Sequence, residues 1–156
     1  MKKPASVVLT LFLVATMSGQ SGNDRNAAQS NREAFVGAWQ LASLEEPGAD
    51  GAVHKADCTG MLVYTRDGHM SVQLMYRTVR PASSDAPVQY AHGGYEASFG
   101  TYRLDDDHTF TFHVEGALVR ALVGKTLRRA YELSDKRLVV RSSDPNEHWR
   151  VIWERF

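Results

Sequence analysis

The chain of 156 residues contains a single cysteine, Cys58, so it cannot form an internal disulfide and must be stabilised by its core. It also has no formal net charge, with 18 basic and 18 acidic side chains, which gives no reason to expect a nucleic acid as partner. The sequence has no Gly-x-Ser-x-Gly motif, phosphate-binding glycine loop or nucleotide fingerprint. These absences exclude the serine hydrolases, the phosphate-loop proteins and the dinucleotide-binding proteins that carry these motifs.

Metal-binding patterns are missing as well. The histidines do not show the HxH, HxxxH or cysteine-paired spacing that is typical of zinc sites. The acidic turn at residues 105–107 lacks the glycine and the distal glutamate of an EF-hand loop. The sequence therefore predicts neither a metal site nor a cofactor. The six histidines are His54, His69, His92, His108, His113 and His148.

No apolar run is long enough to span a bilayer, but the first 21 residues have the pattern of a secretory signal peptide. Lys2 and Lys3 precede an apolar stretch at 7–15, and small residues between 16 and 21 offer cleavage points. We expect residues 1–21 to be cleaved, which leaves no integral membrane span and makes the mature protein secreted or periplasmic. Residues 22–34 have the composition of a flexible leader, which assigns the folded domain to residues 35–156.

Beyond the leader, short runs of alternating apolar and polar residues are separated by turn residues, which is typical of β-strands. The clearest hairpin places Asp67-Gly68 between strands at 60–65 and 69–76. Short antiparallel strands in sequence predict an up-and-down barrel or a sandwich, and a barrel of eight strands has room for one small ligand. The predicted strands lie at 37–46, 60–65, 69–76, 97–104, 108–115, 125–133, 137–141 and 148–155, with a ninth at 52–56.

Several motifs resemble a known family. Gly37-x-Trp39 is similar to the start of the first strand of lipocalins, and the pattern from Gly60 to Leu74 resembles the bacterial and fungal lipocalin-like domain family. The terminal Ile152-Trp153-Glu154-Arg155 is also similar to that family. The resemblance covers about residues 35–156.

The resemblance implies an all-β fold, an eight- to nine-stranded antiparallel up-and-down barrel of the lipocalin-like, calycin type. It also implies that Trp39 closes one end of the barrel beneath a basic residue of the final strand, either Arg150 or Arg155. A cation over an indole face would add about 1 kcal/mol to stability there. We therefore expect the first and last strands to pair.

The connection at 77–97 is interrupted by prolines and glycines and contains no strand pattern. A connection of this length without its own secondary structure is often a lid or a binding loop. The alternative is a solvated crossing loop with a short helix, and the sequence does not separate the two.

Function follows less directly from the resemblance, because a fold does not fix a function. The first hypothesis is a secreted or periplasmic protein that binds a small hydrophobic molecule in the barrel cavity. The alternative is a cofactor-free isomerase or cyclase acting in the same cavity, and a third is a structural or inhibitor role with a filled cavity. The sequence favours a binding protein over an enzyme and carries no signal for an oligomeric state.

Five side chains are candidates for polar ligand-binding groups in an apolar cavity, which is the usual composition of a small-molecule site. The alternative is that the tyrosines lie at the rim with solvated hydroxyls, and that the basic pair at 128–129 lies on an outer face. The candidates are Tyr64, Gln73, Tyr102, Arg129 and Tyr131.

A second set of candidates would serve catalysis. His113 and Glu115 are two residues apart on a predicted strand, so they point to the same side, and the carboxylate could orient the imidazole as an acid or base. The opposite side of that strand carries Phe110, Phe112 and Val114 and has the better claim to the interior. A catalytic role therefore requires the polar side to face the cavity.

Overall fold

A computed structural model describes residues 32–48, 50–78 and 88–156. The expected signal peptide and nearly all of the expected leader lie outside these described residues. Short helical segments occur at 32–35 and, in a 3-10 helix, at Arg120–Leu122. No described helix has the length and apolar character needed to cross a membrane. The strands are β1 (Gly37–Pro47), β2 (Val53–Lys55), β3 (Cys58–Tyr64), β4 (His69–Tyr76), β5 (Tyr95–Leu104), β6 (Thr109–Ala117), β7 (Thr126–Leu133), β8 (Arg137–Ser142) and β9 (Arg150–Arg155).

The strands close into a barrel. From β3 to β9 each strand pairs with the next in antiparallel fashion, and β1 pairs with both β3 and β9. Trp39 lies at the centre of this closure, opposite Leu62 on one side and Arg155 on the other. Eight strands therefore form a closed antiparallel barrel, and the short β2 adds to the far end of β1. This arrangement confirms the predicted fold and the predicted pairing of the first and last strands.

Alternation along each strand decides which side chains face the interior, because successive residues of a strand point to opposite faces. On β6, Phe110, Phe112 and Val114 are buried in the core, whereas His113 and Glu115 are exposed on the outer surface. The apolar side chains of the other strands form one continuous cluster with them. The apolar side chains that this alternation directs inward therefore form the core that stabilises the barrel.

The alternation is interrupted once in β1. Uninterrupted alternation predicts that Trp39, Leu41 and Ser43 share one face and that Leu44 lies on the other. The pairing of β1 with β9 instead shifts register between Leu41 and Ser43, as in a β-bulge, which inserts one extra residue. Leu44 is therefore buried in the interior, and the prediction for its face was wrong. The shift also brings Glu46, two residues further on, to the inner side.

Trp39 seals one end of the barrel. Its side chain is fully buried, and its indole N–H donates a hydrogen bond to the carbonyl oxygen of Phe35 at 3.0 Å. The guanidinium carbon of Arg155 lies 4.2 Å from the centre of the indole ring, and Arg155 Nη1 donates to the carbonyl oxygen of Val36 at 2.9 Å. The predicted cover of Trp39 is therefore confirmed and assigned to Arg155, whereas Arg150 pairs with Glu45 instead.

Gly37 is required for this closure. Its φ angle is +130°, a conformation that residues with a Cβ atom rarely adopt. A Cβ atom at this position would also lie 2.7 Å from Arg155 Nη1. The glycine of the first-strand motif therefore makes room for the arginine that covers Trp39.

Phe35 fills the space inside the sealed end. Its ring lies edge-on to Tyr64, with 5.0 Å between the ring centres, and edge-on to Tyr131 at 4.7 Å. The same ring stacks on Tyr102 at 6.2 Å and packs edge-on against Phe110 at 5.8 Å. Aromatic pairs of this geometry add stability beyond the area that they bury. The helical segment at 32–35 therefore works as a plug, and we refer to this region as the closed end.

Candidate functional site

Between the closed end and the opposite, open end, the barrel encloses a cavity of about 520 Å³. This volume lies within the range of small-molecule sites, which are lined mostly by apolar side chains with a few polar groups. The middle of the cavity fits that description. Its apolar lining includes Leu62, Met70, Val72, Leu74, Phe112, Val114, Val140 and Trp153.

Part of the long connection before β5 lies at the open end. Residues 79–87 fall outside the described part of the chain, but Val88 to Ala91 and the glycines at 93 and 94 line the cavity. Tyr90 packs edge-on against Trp149, which precedes β9, with 6.1 Å between the ring centres. Residues 88–94 therefore border the cavity, as expected of a binding loop and not of a solvated crossing loop.

Arg129 is the centre of a polar network at the open end. Only 7% of this residue is exposed, and its Nη2 donates a hydrogen bond to the hydroxyl oxygen of Tyr90 at 2.8 Å. The Tyr90 hydroxyl donates to Oε2 of Glu147 at 2.7 Å, and the indole N–H of Trp149 donates to the same oxygen at 2.7 Å. The guanidinium carbon also lies 5.3 Å from the ring centre of Tyr90 and 4.9 Å from that of Trp149. We call these four residues the Arg129 cluster.

Glu96, near the start of β5, lines the same end of the cavity. Burial raises the pKa of its carboxyl group to about 7, the charge of Arg129 opposes that rise, and Glu46 adds to it. Within the part of the chain that the structure describes, no hydrogen bond or ion pair reaches the Glu96 carboxylate. Glu46, by contrast, accepts a hydrogen bond from the hydroxyl of Tyr76 at 2.9 Å.

Tyr64 supplies a polar group at the inner end of the cavity. The residue is 1% exposed and lines the cavity beside Phe110. Among the described residues, its hydroxyl is the one buried side-chain polar atom without a hydrogen-bond partner. Burial raises the pKa of this hydroxyl well above its usual range, so it keeps its proton and remains a donor. A buried donor without an acceptor is destabilising, which suits a position that a ligand completes.

The structure places the predicted ligand-binding residues in three different environments. Tyr64 and Arg129 line the cavity. Tyr102 and Tyr131 pack around Phe35 at the closed end, where each hydroxyl donates to a backbone carbonyl oxygen at 3.1 Å, and neither lines the cavity. Gln73 is exposed on the outer face of β4 and accepts a hydrogen bond from the Tyr95 hydroxyl at 3.1 Å.

The catalytic candidates do not reach the cavity. His113 and Glu115 are exposed on the outer face of β6, and His113 Nδ1 lies 3.2 Å from the hydroxyl oxygen of Thr126. Because Phe112 and Val114 occupy the inner face, the alternation of the strand excludes their polar neighbours from it. An enzyme working in the cavity would therefore have to use other residues.

Sequence reasoning missed most of the open end. Glu96 lies outside the predicted strand at 97–104, because β5 begins two residues earlier, at Tyr95. Glu96 lies two residues before Ser98, so it shares the inner face of β5 with Ser98 and Tyr102. The alternation of the strand therefore contains the signal that could have identified Glu96. Tyr90 and Glu147 lie in connections without periodicity, so no sequence pattern pointed to them.

The arrangement combines an apolar cavity with a donor at one end and a carboxylate at the other. In the described residues, no group of three or more His, Cys, Asp or Glu side chains is arranged to hold a metal ion. The Tyr64 hydroxyl, the Glu96 carboxylate and the Arg129 cluster are suited to hydrogen bonding and charge pairing with a bound molecule. The site is thus suited to an elongated, mostly apolar ligand.

The chain is similar to a family of known proteins. The model of the lipocalin-like domain family matches residues 36–156. A lipocalin-like protein from Bacteroides uniformis is 17% identical, with a TM-score of 0.47 over 79% of this chain and 99% of that one. An uncharacterized protein from Bacteroides eggerthii is 18% identical, with a TM-score of 0.45 over 78% and 99%. None of the curated proteins matches the chain. The family match over most of the chain shows that it belongs to the lipocalin-like domain family.

Proposed function

We propose that the protein binds a small, largely apolar molecule inside its barrel. The observation that carries this proposal is the Tyr64 hydroxyl, which is buried at the inner end of an apolar cavity without a partner among the described residues. The volume of the cavity, about 520 Å³, supports it, because side chains do not fill this space. A purely structural role would give no reason to keep such a cavity.

We expect Tyr64→Phe to stabilise the unliganded protein and to weaken ligand binding. Removing a buried donor without an acceptor should raise the free energy of unfolding by about 1 kcal/mol. Losing a hydrogen bond to the ligand should weaken the affinity for 2-decanone, whose carbonyl can accept that bond, by about fivefold. Urea denaturation and titration with displacement of a fluorescent probe measure the two effects.

Tyr131→Phe is the matched control, because the Tyr131 hydroxyl already donates to the carbonyl oxygen of Asp106 at 3.1 Å. This variant should lower the free energy of unfolding by about 1 kcal/mol and leave the affinity for 2-decanone unchanged. If both variants lose stability and neither changes affinity, the Tyr64 hydroxyl is not a ligand-binding group.

The proposal includes a location outside the cytoplasm, either secreted or periplasmic. It rests on the two lysines and the apolar stretch that begin the sequence. Mass spectrometry of the protein purified from its native host should find a mature N-terminus between residues 16 and 23 in the extracytoplasmic fraction. A cytoplasmic protein that retains Met1 would contradict this part of the proposal.

A second candidate is a cofactor-free isomerase or cyclase. Glu96 favours it, because a carboxyl group whose pKa is about 7 is well matched to proton transfer near neutral pH. The distance between Glu96 and Tyr64, the polar groups at the two ends of the cavity, argues against an enzyme. Glu96 pairs with Leu74 and Tyr64 with Met70, so four residues of β4 separate them, roughly 13 Å of strand. Two groups so far apart are badly placed to act on neighbouring atoms of one substrate.

Proton exchange distinguishes the two candidates. Under the binding proposal, 2-decanone held by the protein in D₂O exchanges its α-protons no faster than it does free in solution, as measured by NMR. Exchange that is accelerated by the wild type and lost in Glu96→Gln would instead support the enzyme.

A further inference from the structure

We propose that the ligand carries a positively charged amine, which the Glu96 carboxylate binds at the open end of the cavity. This inference rests on the proposed binding function and names the chemical class of the ligand. The ligand would then be an amphiphilic amine, with its charged group at the open end and its apolar body in the barrel.

The first argument is the environment of Glu96. A carboxylate in an apolar cavity is destabilising unless a cation or several hydrogen-bond donors compensate it. Within the described residues no side chain forms a hydrogen bond or an ion pair with Glu96, and the charge of Arg129 only partly opposes the effect of burial. A ligand ammonium group would supply both the charge and the donors. The Glu96 carboxylate would therefore gain a direct partner when such a ligand is bound.

The second argument is that Arg129 is already engaged. Its guanidinium donates to the Tyr90 hydroxyl and lies over the rings of Tyr90 and Trp149, and Tyr90 connects it to the Glu147 carboxylate. These contacts hold the guanidinium group within the Arg129 cluster. A ligand carboxylate would have to compete with the Tyr90 hydroxyl for Arg129 Nη2, whereas a ligand amine leaves the cluster intact.

The third argument is the charge of the lining. The described residues around the cavity include three carboxylates, those of Glu46, Glu96 and Glu147, against one guanidinium, that of Arg129. Charges of one sign in an apolar cleft attract ligands of the opposite sign, so the open end favours cations over anions.

The positions of Glu96 and Tyr64 bound the length of the ligand. Glu96 lies opposite Leu74 of β4 and Tyr64 lies opposite Met70, so roughly 13 Å of strand separates the two levels. A linear chain of about ten carbons spans this distance. Decylamine, decanol and decanoate are therefore suitable probes, because they share a ten-carbon chain and carry a cationic, a neutral and an anionic head group.

The pH dependence follows from the ionisation of Glu96. Its pKa is about 7 in the unliganded protein, so acidification below neutral pH protonates the carboxyl group and removes the charge that attracts the amine. Glu46, Tyr76 and Arg129 act on Glu96 electrostatically, and Glu147 and His148 lie at the same end of the cavity. The Glu96→Gln variant separates the contribution of Glu96 from theirs.

The experiment is displacement of the neutral fluorescent probe N-phenyl-1-naphthylamine by the three decyl compounds at about pH 8. Decylamine should bind at least about tenfold more tightly than decanol, because its ammonium group compensates the charge of the Glu96 carboxylate and the neutral hydroxyl does not. Decanoate should bind more weakly than decanol. Lowering the pH to about 5 should bring the affinities of the amine and the alcohol together.

Glu96→Gln should remove the preference for the amine, and a cooperative urea denaturation curve shows that the variant is folded. Glu115→Gln, which removes a carboxylate from the outer face of β6, should keep the full preference. If decanol itself does not displace the probe, the proposed binding function fails. If decanol binds but the amine binds no more tightly, or if Glu96→Gln keeps the preference, the amine proposal is overturned.

Discussion

Trp39→Ala should lower the free energy of unfolding by about 3–5 kcal/mol, the usual effect of truncating a large buried aromatic side chain. The physical reason is the number of interactions that meet at this residue. Its indole is fully buried, donates to the carbonyl oxygen of Phe35 and lies under the Arg155 guanidinium. Truncation leaves a cavity at the point where β1 meets both β3 and β9.

Urea denaturation measures this change, and Trp149→Ala provides the control. Trp149 is a partly buried tryptophan at the open end, just before β9, and its truncation leaves the contact between β1 and β9 intact. We expect Trp149→Ala to lower the free energy of unfolding by less than half as much. Equal losses in the two variants would mean that Trp39 has no special part in closing the barrel.

Glu96→Gln should do the opposite and stabilise the protein by about 1–3 kcal/mol at about pH 8. Burial raises the pKa of Glu96 from 4.5 to about 7, so the folded protein holds this proton more tightly than the unfolded chain. The stability that this proton contributes is complete below about pH 4.5 and is lost as the pH rises through about 7. Water in the cavity would reduce the size of the effect, which sets the lower end of the range.

Denaturation curves of the wild type and Glu96→Gln at about pH 8 and about pH 5 test this prediction. The gain should be present at the higher pH and shrink at the lower one, because the wild-type carboxyl group is then largely protonated. Glu115→Gln on the outer surface should change the free energy of unfolding by less than about 0.5 kcal/mol at either pH. A gain that is the same at both values would show that the ionisation of Glu96 is not its cause.

A variant that gains stability by losing a carboxylate bears on function. Side chains that destabilise the folded protein are retained where they serve binding or catalysis, and removing them commonly trades activity for stability. Tyr64 and Glu96 both fit this description, at opposite ends of one cavity. The two variants should therefore gain stability and lose binding for the same reason.

The sequence predicted the barrel because its signals are local and repeated. Alternating residues and the Asp67-Gly68 turn defined most strands within two residues, and Gly37-x-Trp39 with the terminal Arg155 indicated how the ends meet. The face of Leu44 could not be predicted, since a β-bulge depends on how β1 pairs with β9. One extra residue there changes the direction of every side chain that follows in the strand.

The site was less predictable because it is assembled from distant segments. Arg129 was identified as a candidate from its type, but its partners come from the connection before β5 and from the turn before β9. Pairing across 39 residues, as between Arg129 and Tyr90, leaves no periodic trace in the sequence. His113 and Glu115 show the converse, because a suggestive pair of residue types lies on the outer face.

The central claim is that the barrel cavity is the binding site, and Ser98→Trp tests it most directly. Ser98 is a small, buried residue on β5 that faces the cavity, so an indole at this position would occupy the space without disturbing the closed end. Calorimetric titration with decylamine at about pH 8 should show saturable binding to the wild type and none to a folded Ser98→Trp variant. Undiminished binding to that variant would place the ligand outside the barrel and contradict the account.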